Sequence, residues 1–514
     1  MPLTPIARAA WPQLMARLHA LAPEAFDADG HVLNLVGGSW GHPGRGKPFL
    51  SAVDGSALGS YPMLGLDEAV QAVRVAALEA GVWAKTPLAE RQLKVTECVN
   101  RLREERELLA LLLVWEIGKP YQLALVDVDR CLEGVEWYVE KIGELLAGRK
   151  PLGVVSNIAS WNYPMSVLMH SVLVQVLCGN ATISKTPSDG GLYTLTAAHA
   201  IARKCGLPVS LVSGSGSQLS EALVLNDAVD CLAFVGGKSN GREIAARLTS
   251  RTKRYMLEME GVNAYGVWNF SDWPGLAKQV KKGFEYGKQR CTAYVRWVVQ
   301  RSLLPQFLEM YLGVLGSIRV GHPLLAETAD GNPPVLDIGP LINAGKVELL
   351  SGMVGEAVGL GGLPIYQGRL DPARFLPDQD TSAYFAPAAL LNVPRNSRLY
   401  HEEPFGPVDT IVVVDRLDEM VAEMNVSNGS LVASIACDDA ATAARVKGDL
   451  RAFKVGINTA RSRGDREEVF GGIGLSWKGH FVGGRYLVEA VTQGPPGGRD
   501  YGNFQDYTLV PDVR

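Results

Sequence analysis

One cysteine and one glutamate of this chain are of residue types that could serve as a covalent catalyst and its base. Cys291 lies in "YGKQRCTAYVRW" (286–297), between basic and aromatic residues, and a thiolate there could attack a carbonyl carbon. Glu258 and Glu260 lie in the apolar run "KRYMLEMEGVNAYGVWN" (253–269). Charge is unusual in such a run unless it has a partner or a function, so Glu258 is a candidate general base. The cysteine by itself is equally compatible with a small apolar core residue.

Two polar residues follow predicted strands upstream of this pair. In "SNIASWNYPMSV" (156–167), Asn162 lies in the loop before a helix that begins near Pro164. Its amide could donate to a developing oxyanion, although taken alone an asparagine that satisfies nearby backbone is the simpler explanation. In "ATISKTPSDGG" (181–191), Lys185 ends a strand. It is either a solvated edge charge or a hydrogen-bond donor to a cofactor ribose or phosphate.

A glycine-rich turn offers a possible phosphate site. In "DCLAFVGGKSNGREIAARL" (230–248) a predicted strand runs into Gly236, Gly237 and Gly241, and a helix follows. Glycine lets the backbone approach a diphosphate, and the helix N-terminus offers unpaired N–H groups. The spacing is not the G-x-G-x-x-G fingerprint, so a plain strand–turn–helix unit is an equally good interpretation.

Alternating helices and strands would bring these residues to one edge of a sheet. Apolar residues recur at helical spacing over 66–84, 105–119 and 192–206. Short apolar runs bounded by turn residues predict strands at 151–158, 180–185, 209–214, 230–236, 293–300 and 409–416. This order predicts an α/β fold with a parallel sheet and covering helices. Stretches rich in Gly and Pro predict loops or a tail at 318–342, 353–374 and 494–503.

Length and composition bound the remaining possibilities. The chain has 514 residues, so two or three domains are expected, and its 47% hydrophobic and 20% charged content is ordinary for a globular protein. The net charge of −4 offers no basic field for nucleic acid or anionic membrane, and the longest apolar run, 108–115, is too short to span a bilayer. Seven scattered cysteines without metal-ligand spacing, and an N-terminus without a secretory signal, predict a cytoplasmic protein with reduced thiols and no metal site.

Taken together, these segments resemble the aldehyde dehydrogenase superfamily. Five fall in the family's order and near its spacing: "SWNYP", "ISKTPS", "FVGGKSNG", "LEMEG" and "GKQRCTA". "HEEPFGPV" (401–408) matches the Glu-x-Phe-Gly-Pro signature, "FGGIGLSWKG" (470–479) resembles the C-terminal Phe-Gly-Gly segment, and "NLVGGSW" and "EIGKP" also fit. The resemblance implies a Rossmann-type cofactor domain (1–139 and 151–259), an α/β catalytic domain (260–482), and a small oligomerisation element with the C-terminal tail (140–150 and 483–514).

The resemblance also implies a reaction and the residues that carry it. Cys291 would attack an aldehyde to give a thiohemiacetal, hydride transfer to a nicotinamide would leave a thioester, and Glu258 would activate the hydrolysing water. The Asn162 amide and the Cys291 N–H would hold the oxyanion. Lys185 would bind the adenosine ribose, Glu403 the nicotinamide ribose. The full set of implied cofactor-binding residues is Trp161, Lys185, Ser188, Gly236, Gly237, Gly241, Glu403 and Phe405.

Several positions depart from the family pattern. Glu260 and Lys288 stand where relatives have glycine, and we expect them to form an ion pair beside the nicotinamide pocket, the alternative being two independent solvated charges. Ser188 stands where NAD-preferring relatives carry Glu, which removes repulsion of a 2′-phosphate and favours NADP, with NAD or dual use as alternatives. Lys238 would assist phosphate binding, whereas Asp189 would oppose it.

Two further features concern assembly and substrate. Only twelve residues separate Tyr138 from Pro151, so the family's oligomerisation hairpin is truncated, and we expect a homodimer in which the tail at 494–514 replaces the missing pairing or covers the substrate tunnel. Arg461, Arg463 and Arg466 lie in a loop expected at the substrate entrance. They either hold an anionic group of the substrate or form a solvated charged loop.

Three functions therefore remain at this point. The first is NAD(P)-dependent oxidation of an aldehyde to its acid. The second transfers the acyl group to coenzyme A instead of water, and the third is a catalytically impaired relative that serves as a binding or scaffold protein. Retention of Glu258 favours the first over the second, and retention of all the primary catalytic residues argues against the third.

Replacement of the proposed nucleophile tests this interpretation. We expect Cys291→Ala to abolish NAD(P)H formation with every aldehyde that the wild type oxidises, because no other side chain can form the thioester. The measurement is the absorbance of the reduced cofactor with aliphatic, aromatic and carboxylated aldehydes. Residual turnover by the variant would show that another residue is the nucleophile.

Overall fold

Two large sheets and the helices around them make up the architecture. The computed structural model describes residues 3–504 except 43, 249–252, 428 and 463–465. Its strands are β1 (Thr4–Pro5), β2 (Asn34–Val36), β3 (Ser39–Gly41), β4 (Arg45–Leu50), β5 (Ala57–Met63), β6 (Lys150–Pro151), β7 (Val154–Ile158), β8 (Ala181–Lys185), β9 (Val209–Val212), β10 (Cys231–Gly236), β11 (Arg254–Met259), β12 (Asn263–Val267), β13 (Tyr294–Gln300), β14 (Leu325–Ala326), β15 (Leu363–Gln367), β16 (Ala388–Leu391), β17 (Val408–Val414), β18 (Val432–Ala436), β19 (Lys454–Ile457), β20 (Trp477–His480), β21 (Thr492–Gln493) and β22 (Gly502–Asn503). Its α-helices are α1 (Trp11–Leu21), α2 (Leu66–Trp83), α3 (Leu88–Glu104), α4 (Arg106–Ile117), α5 (Tyr121–Leu145), α6 (His170–Leu177), α7 (Leu192–Lys204), α8 (Gly216–Ser220), α9 (Lys238–Leu248), α10 (Trp273–Phe284), α11 (Leu304–Gly316), α12 (Ala344–Gly359), α13 (Arg398–His401), α14 (Leu417–Met424), α15 (Ala440–Asp449) and α16 (Arg485–Ala490).

The first sheet has nine strands in the order β22-β20-β11-β10-β7-β8-β9-β2-β3. Its central strands, β11, β10, β7, β8 and β9, run parallel, and antiparallel strands extend it at both ends. All five residues of β8 are buried, as expected for a parallel strand covered on both faces. The carboxyl ends of the central strands therefore meet at one edge, which is where such sheets bind ligands.

The second sheet has seven strands in the order β15-β16-β17-β13-β12-β18-β19 and is parallel except for β15. The chain passes from the first sheet to the second between β11, which ends at Met259, and β12, which begins at Asn263. A single apolar core includes residues of both, such as Val155 and Leu211 from the first sheet and Tyr265 and Trp297 from the second. The two sheets thus share buried surface, and a loop from one can reach the edge of the other.

The predicted α/β fold and the predicted elements are confirmed, with one exception. Helices α2, α4 and α7 and strands β7 to β10, β13 and β17 fall within the expected segments, apart from shifts of a few residues at their ends. The prediction of an unstructured loop at 353–374 is wrong, because α12 extends to Gly359 and β15 follows. Glycine there did not interrupt the helix because Leu350, Met353 and Ala357 give it a buried face.

The segment expected to hold a truncated hairpin contains the short strand β6, which pairs with β21 to form a two-stranded ribbon. The described part of the tail turns back, and β22 pairs with β20 at the edge of the first sheet. Residues 477–480, placed with the catalytic domain in the sequence division, thus form a strand of the first sheet. Residues 505–514 of the tail lie outside the described residues. Within the described ranges we find no helix with the length and apolar character needed to cross a bilayer.

Candidate active site

The structure brings together the three residues predicted to carry the chemistry. Glu258 lies near the end of β11, Asn162 follows β7, and Cys291 lies in the loop between α10 and β13. The Cys291 thiol donates a hydrogen bond to Glu258 Oε1 at 2.9 Å, and Asn162 Nδ2 donates to the carbonyl of Gln289 at 2.9 Å. The other six cysteines are buried, whereas Cys291 is partly exposed. A thiol, a carboxylate and an amide donor therefore converge where the two sheets meet.

The loop before Cys291 has an unusual backbone. Tyr286, Gly287 and Lys288 have φ values of 58°, 59° and 56°, so three successive residues are left-handed. Two of them are not glycine, and each such residue costs about 1–2 kcal/mol unless its surroundings compensate. Gln289 compensates in part, since its side chain accepts from the Ile342 N–H at 3.0 Å and donates to the Pro340 carbonyl at 3.4 Å.

A buried ion pair completes the support of this loop. Lys288 is 1% exposed, and its ammonium donates to Asp409 Oδ1 at 2.6 Å and to the Tyr294 carbonyl at 2.7 Å. The second oxygen of Asp409 accepts from Trp297 Nε1 at 2.9 Å and from the Tyr311 hydroxyl at 2.8 Å. Burial lowers the pKa of Lys288, and Asp409 opposes that shift. The ammonium thus makes two hydrogen bonds and both Asp409 oxygens accept, which offsets the cost of burying the two charges.

The predicted ion pair between Glu260 and Lys288 is therefore wrong. In the left-handed loop the Lys288 side chain turns into the second sheet and meets Asp409 on β17. Glu260 lies on the other side, where the Ser476 hydroxyl donates to its carbonyl at 3.0 Å and its charge acts on Glu403. Side-chain direction at a left-handed lysine could not be read from the sequence.

Asn162 is held by a second buried lysine that sequence reasoning did not assign. Lys119, in the "EIGKP" segment, donates to the Asn162 carbonyl at 2.8 Å and to Asp127 Oδ2 at 2.9 Å. The other oxygen of Asp127 accepts from the Ser166 N–H at 3.0 Å. Asn162 itself is 6% exposed. Its backbone and its amide are thus both fixed, and the amide is held against the loop that carries Cys291.

The glycine turn lies as predicted between β10 and α9, with Gly236 ending the strand and Gly237 before the helix. A Cβ at Gly241 would lie 2.4 Å from Met259 Cγ, so this glycine allows α9 to pack against β11. A Cβ at Gly237 would meet nothing within 4 Å. Open space at a helix N-terminus suits a diphosphate.

Lys185 ends β8 and Ser188 follows it, next to a lysine that the sequence did not single out. Lys185 is 5% exposed and donates to the Thr186 carbonyl at 2.9 Å. Burial, reinforced by the charge of Lys47, lowers its pKa to about 8. Ser188 is exposed, and its carbonyl accepts from Lys47 Nζ at 2.8 Å. Lys47 is far from this loop in sequence, so no motif indicated it.

Glu403, Phe405 and Trp161 form the third group of predicted cofactor contacts. The rings of Trp161 and Phe405 meet edge to face with centroids 5.9 Å apart. Glu403 is 7% exposed, and its Oε2 accepts from the Gly261 N–H at 3.3 Å. Burial, followed by the charge of Glu260, raises the pKa of Glu403 well above its usual range. Its Oε1 has no hydrogen-bond partner among the described residues, which fits a carboxylate whose partner is a ribose hydroxyl.

A cavity of about 570 Å³ reaches Cys291, and Glu403 is not among its lining residues. Its wall combines aromatic and basic side chains, namely Tyr138, Tyr163, His170, Phe470, Arg130, Lys282, Arg290, Arg461 and Arg466. Arg461 and Arg466, predicted near the substrate entrance, are thus part of the wall, each paired with a carboxylate (Glu468 and Glu133). Arg463 lies outside the described residues. Arg130 and Lys282 have no carboxylate within ion-pair distance among the described residues.

Comparison with known proteins agrees with this geometry. Residues 43–494 match the sequence model of the aldehyde dehydrogenase family. The chain belongs to that family. It is 26% identical over 482 residues to the NADP-dependent glyceraldehyde-3-phosphate dehydrogenase of Streptococcus equinus (89% of this chain, 96% of that one). It is 25% identical over 444 residues to the mitochondrial succinate-semialdehyde dehydrogenase of Oryza sativa subsp. japonica (82% of this chain, 81% of that one).

A solved structure extends the comparison to the fold. The NADP-dependent glyceraldehyde-3-phosphate dehydrogenase of Bacillus halodurans C-125, complexed with NADP, superposes with a TM-score of 0.81 at 26% identity and covers 90% of this chain and 97% of its own. The chain is an NAD(P)-dependent aldehyde dehydrogenase that oxidises an aldehyde to the acid. These relatives favour that reaction over the alternatives of coenzyme A acylation and a scaffold role.

A double-mutant cycle tests the buried pair beneath the catalytic loop. Lys288→Met and Asp409→Asn should each lower the thermal unfolding temperature and reduce kcat/KM by about tenfold or more, since each leaves an unpaired buried group. The double variant should lose much less than the two single losses combined. Lys288→Met combined with Glu260→Ala should instead be additive. Coupling of Lys288 to Glu260, or independence of Lys288 from Asp409, would contradict the network.

Proposed function

We propose that Cys291, Glu258 and Asn162 perform the oxidation of an aldehyde that carries an anionic group, with NADP as the preferred cofactor. The contact of the Cys291 thiol with Glu258 Oε1 at 2.9 Å carries the assignment of the chemistry. A carboxylate in that position can take the thiol proton and, later, a proton from water. Asn162, whose carbonyl is fixed by Lys119, donates from Nδ2 to the Gln289 carbonyl two residues before Cys291, and this amide is the proposed oxyanion donor.

The proposed steps follow from these positions. The Cys291 sulfur attacks the carbonyl carbon, and the oxygen of the thiohemiacetal receives a hydrogen bond from Asn162 Nδ2 and from the Cys291 N–H. NAD(P)⁺, held by the proposed cofactor residues, would supply the hydride acceptor for the thiohemiacetal carbon, and Cys291 would then hold the acyl group as a thioester. Once the thiol proton has passed from Glu258 to solvent, Glu258 would remove a proton from the water that attacks the thioester, and the acid would be released with Cys291 leaving as the thiolate.

A small second cavity supports water as the acyl acceptor. It has a volume of about 30 Å³ and is lined by Glu258, Ser171 and Gln175 together with apolar side chains. This is room for a water molecule with polar partners beside the proposed base. Coenzyme A would not need such a site.

The cofactor preference rests on the edge of the first sheet. Lys185 offers a cation and Ser188 a hydroxyl, and both can bind a 2′-phosphate. A carboxylate at the same place would repel that phosphate. At the other end, the Glu403 carboxylate and the neighbouring Lys346 suit ribose hydroxyls, since Lys346 is close enough to Glu403 for the charges to act on each other. Trp161, Phe405, Gly236, Gly237 and Gly241 complete the proposed cofactor site.

The anionic substrate is proposed from the cavity wall. Arg130 and Lys282 line the cavity without a carboxylate partner among the described residues, and Nε of Arg290 is buried without a hydrogen-bond partner there. Unneutralised cations around a catalytic cysteine favour a phosphate or carboxylate on the substrate. Two relatives bear names of dehydrogenases for such aldehydes, glyceraldehyde-3-phosphate and succinate semialdehyde.

Location, assembly and domain bounds complete the proposal. We expect a cytoplasmic protein, since its cysteines are scattered and unpaired in the described chain.

The β6–β21 ribbon is short, which supports a homodimer rather than a larger assembly. The proposed domains are 1–139 with 151–259 for the cofactor, 260–482 for catalysis, and 140–150 with 483–514 for assembly. Light scattering on the purified chain would measure the assembly directly.

The substrate proposal predicts a selective effect of charge in the cavity. Lys282→Ala should raise the KM for a carboxylated or phosphorylated aldehyde by about tenfold, with a neutral aldehyde of similar length nearly unaffected. Lys281→Ala is the matched control, because Lys281 lies on the same helix but not in the cavity wall. Equal effects on charged and neutral aldehydes would contradict an anionic subsite.

The cofactor proposal predicts a pH dependence of NADPH binding. Lys185 has a pKa of about 8, with Lys47 and Asp189 as the neighbouring charges, so it is cationic below that pH and neutral above it. A bound 2′-phosphate raises this pKa, so NADPH affinity should fall about tenfold between pH 7 and pH 9. NADH affinity should change much less. Fluorescence titration measures both, and Lys185→Arg should remove the difference between the two pH values.

A further inference from the structure

Lys47 reaches the edge of the first sheet at which the cofactor is proposed to bind, although the hairpin that carries it belongs to neither large sheet. It lies on β4, in the β4–β5 hairpin, and its Nζ donates to the Ser188 carbonyl at 2.8 Å. Tyr61, on the paired strand β5, donates to the carbonyl of Gly190 at 3.3 Å. The hairpin thus contacts the loop after β8 at two points, and it brings an exposed lysine to the residue proposed to face the 2′-phosphate.

We propose that Lys47 is a specificity-determining residue that binds the 2′-phosphate of NADP together with Lys185 and Ser188. This inference rests on the proposed preference for NADP. Lys47 supplies a second cation beside Lys185, and the phosphate dianion between them would be contacted by two ammonium groups and one hydroxyl. The adenosine ribose of NAD, which carries no charge, gains little from Lys47.

The charges around Lys47 support this role. Asp189 Oδ1 lies 3.9 Å from Lys47 Nζ, so the carboxylate that would otherwise repel a 2′-phosphate has a cation beside it. Lys47 and Lys185 are near enough that Lys47 disfavours the charged form of Lys185. An anion placed between two such cations removes their mutual repulsion, whereas a neutral ribose does not.

Binding measurements with cofactor fragments test the role of Lys47 without relying on turnover. Lys47→Gln should weaken NADPH and 2′-phospho-ADP-ribose by about 10- to 100-fold, the range expected for charge-assisted hydrogen bonds. NADH and ADP-ribose should change by less than about twofold, and Lys47→Arg should restore most of the loss. Lys141→Gln, an exposed lysine on α5, is the control for net charge. Calorimetry measures all four ligands.

The possible outcomes distinguish a failure of this inference from a failure of the proposed preference for NADP. If the wild type prefers NADPH but Lys47→Gln weakens phosphorylated and unphosphorylated ligands equally, Lys47 only holds the loop and the inference is wrong. Unchanged affinities in Lys47→Gln would overturn it as well. If the wild type binds NADH more tightly than NADPH, the preference for NADP fails, and the inference fails with it. If the enzyme still oxidised the aldehyde with formation of NADH, the proposed roles of Cys291, Glu258 and Asn162 would not be affected.

Discussion

The site depends on two hydrogen bonds that join the two large sheets. Asn162 and Glu258 belong to the first sheet or the loops that follow its strands, and each contacts the loop before β13 of the second sheet. Neither sheet alone contains the proposed nucleophile, the proposed base and the proposed oxyanion donor. Catalysis therefore requires the shared apolar core to keep the two sheets in contact. Any change that separates the sheets would move the proposed catalytic residues apart, even if both sheets remained folded.

The second constraint is the backbone of the loop that carries Cys291. A run of left-handed residues turns the chain sharply enough to present the sulfur to Glu258 and the Gln289 carbonyl to Asn162. Such a turn persists only where the surroundings fix it. Here Gln289 ties it to the 340–342 segment and Lys288 ties it to the second sheet, so the strain is held by groups that do not touch the substrate.

The family and its reaction were predictable from the sequence because the candidate residues occur in motifs that keep their order along the chain. Cys291, Glu258, Asn162, Lys185 and Glu403 all came from such motifs. Alternation of strands and helices likewise predicted a parallel sheet with a ligand edge. Lys47 and Lys346 were missed, because their positions depend on how distant segments pack, and nothing in the neighbouring residues marks them.

The incorrectly predicted ion pair between Glu260 and Lys288 shows that this limit of sequence-based prediction also applies close to the active site. The family resemblance implies glycine at positions 260 and 288, close to the proposed catalytic residues, and the opposite charges of Glu260 and Lys288 suggested a pair. The direction of a side chain depends on backbone conformation, and the left-handed φ of Lys288 sends its ammonium away from Glu260 and toward Asp409. Lys288, at a position where the resemblance implies glycine, thus fixes the loop to the second sheet. The ion pair, the Tyr294 carbonyl and the two donors to Asp409 offset the cost of a left-handed residue that carries a side chain.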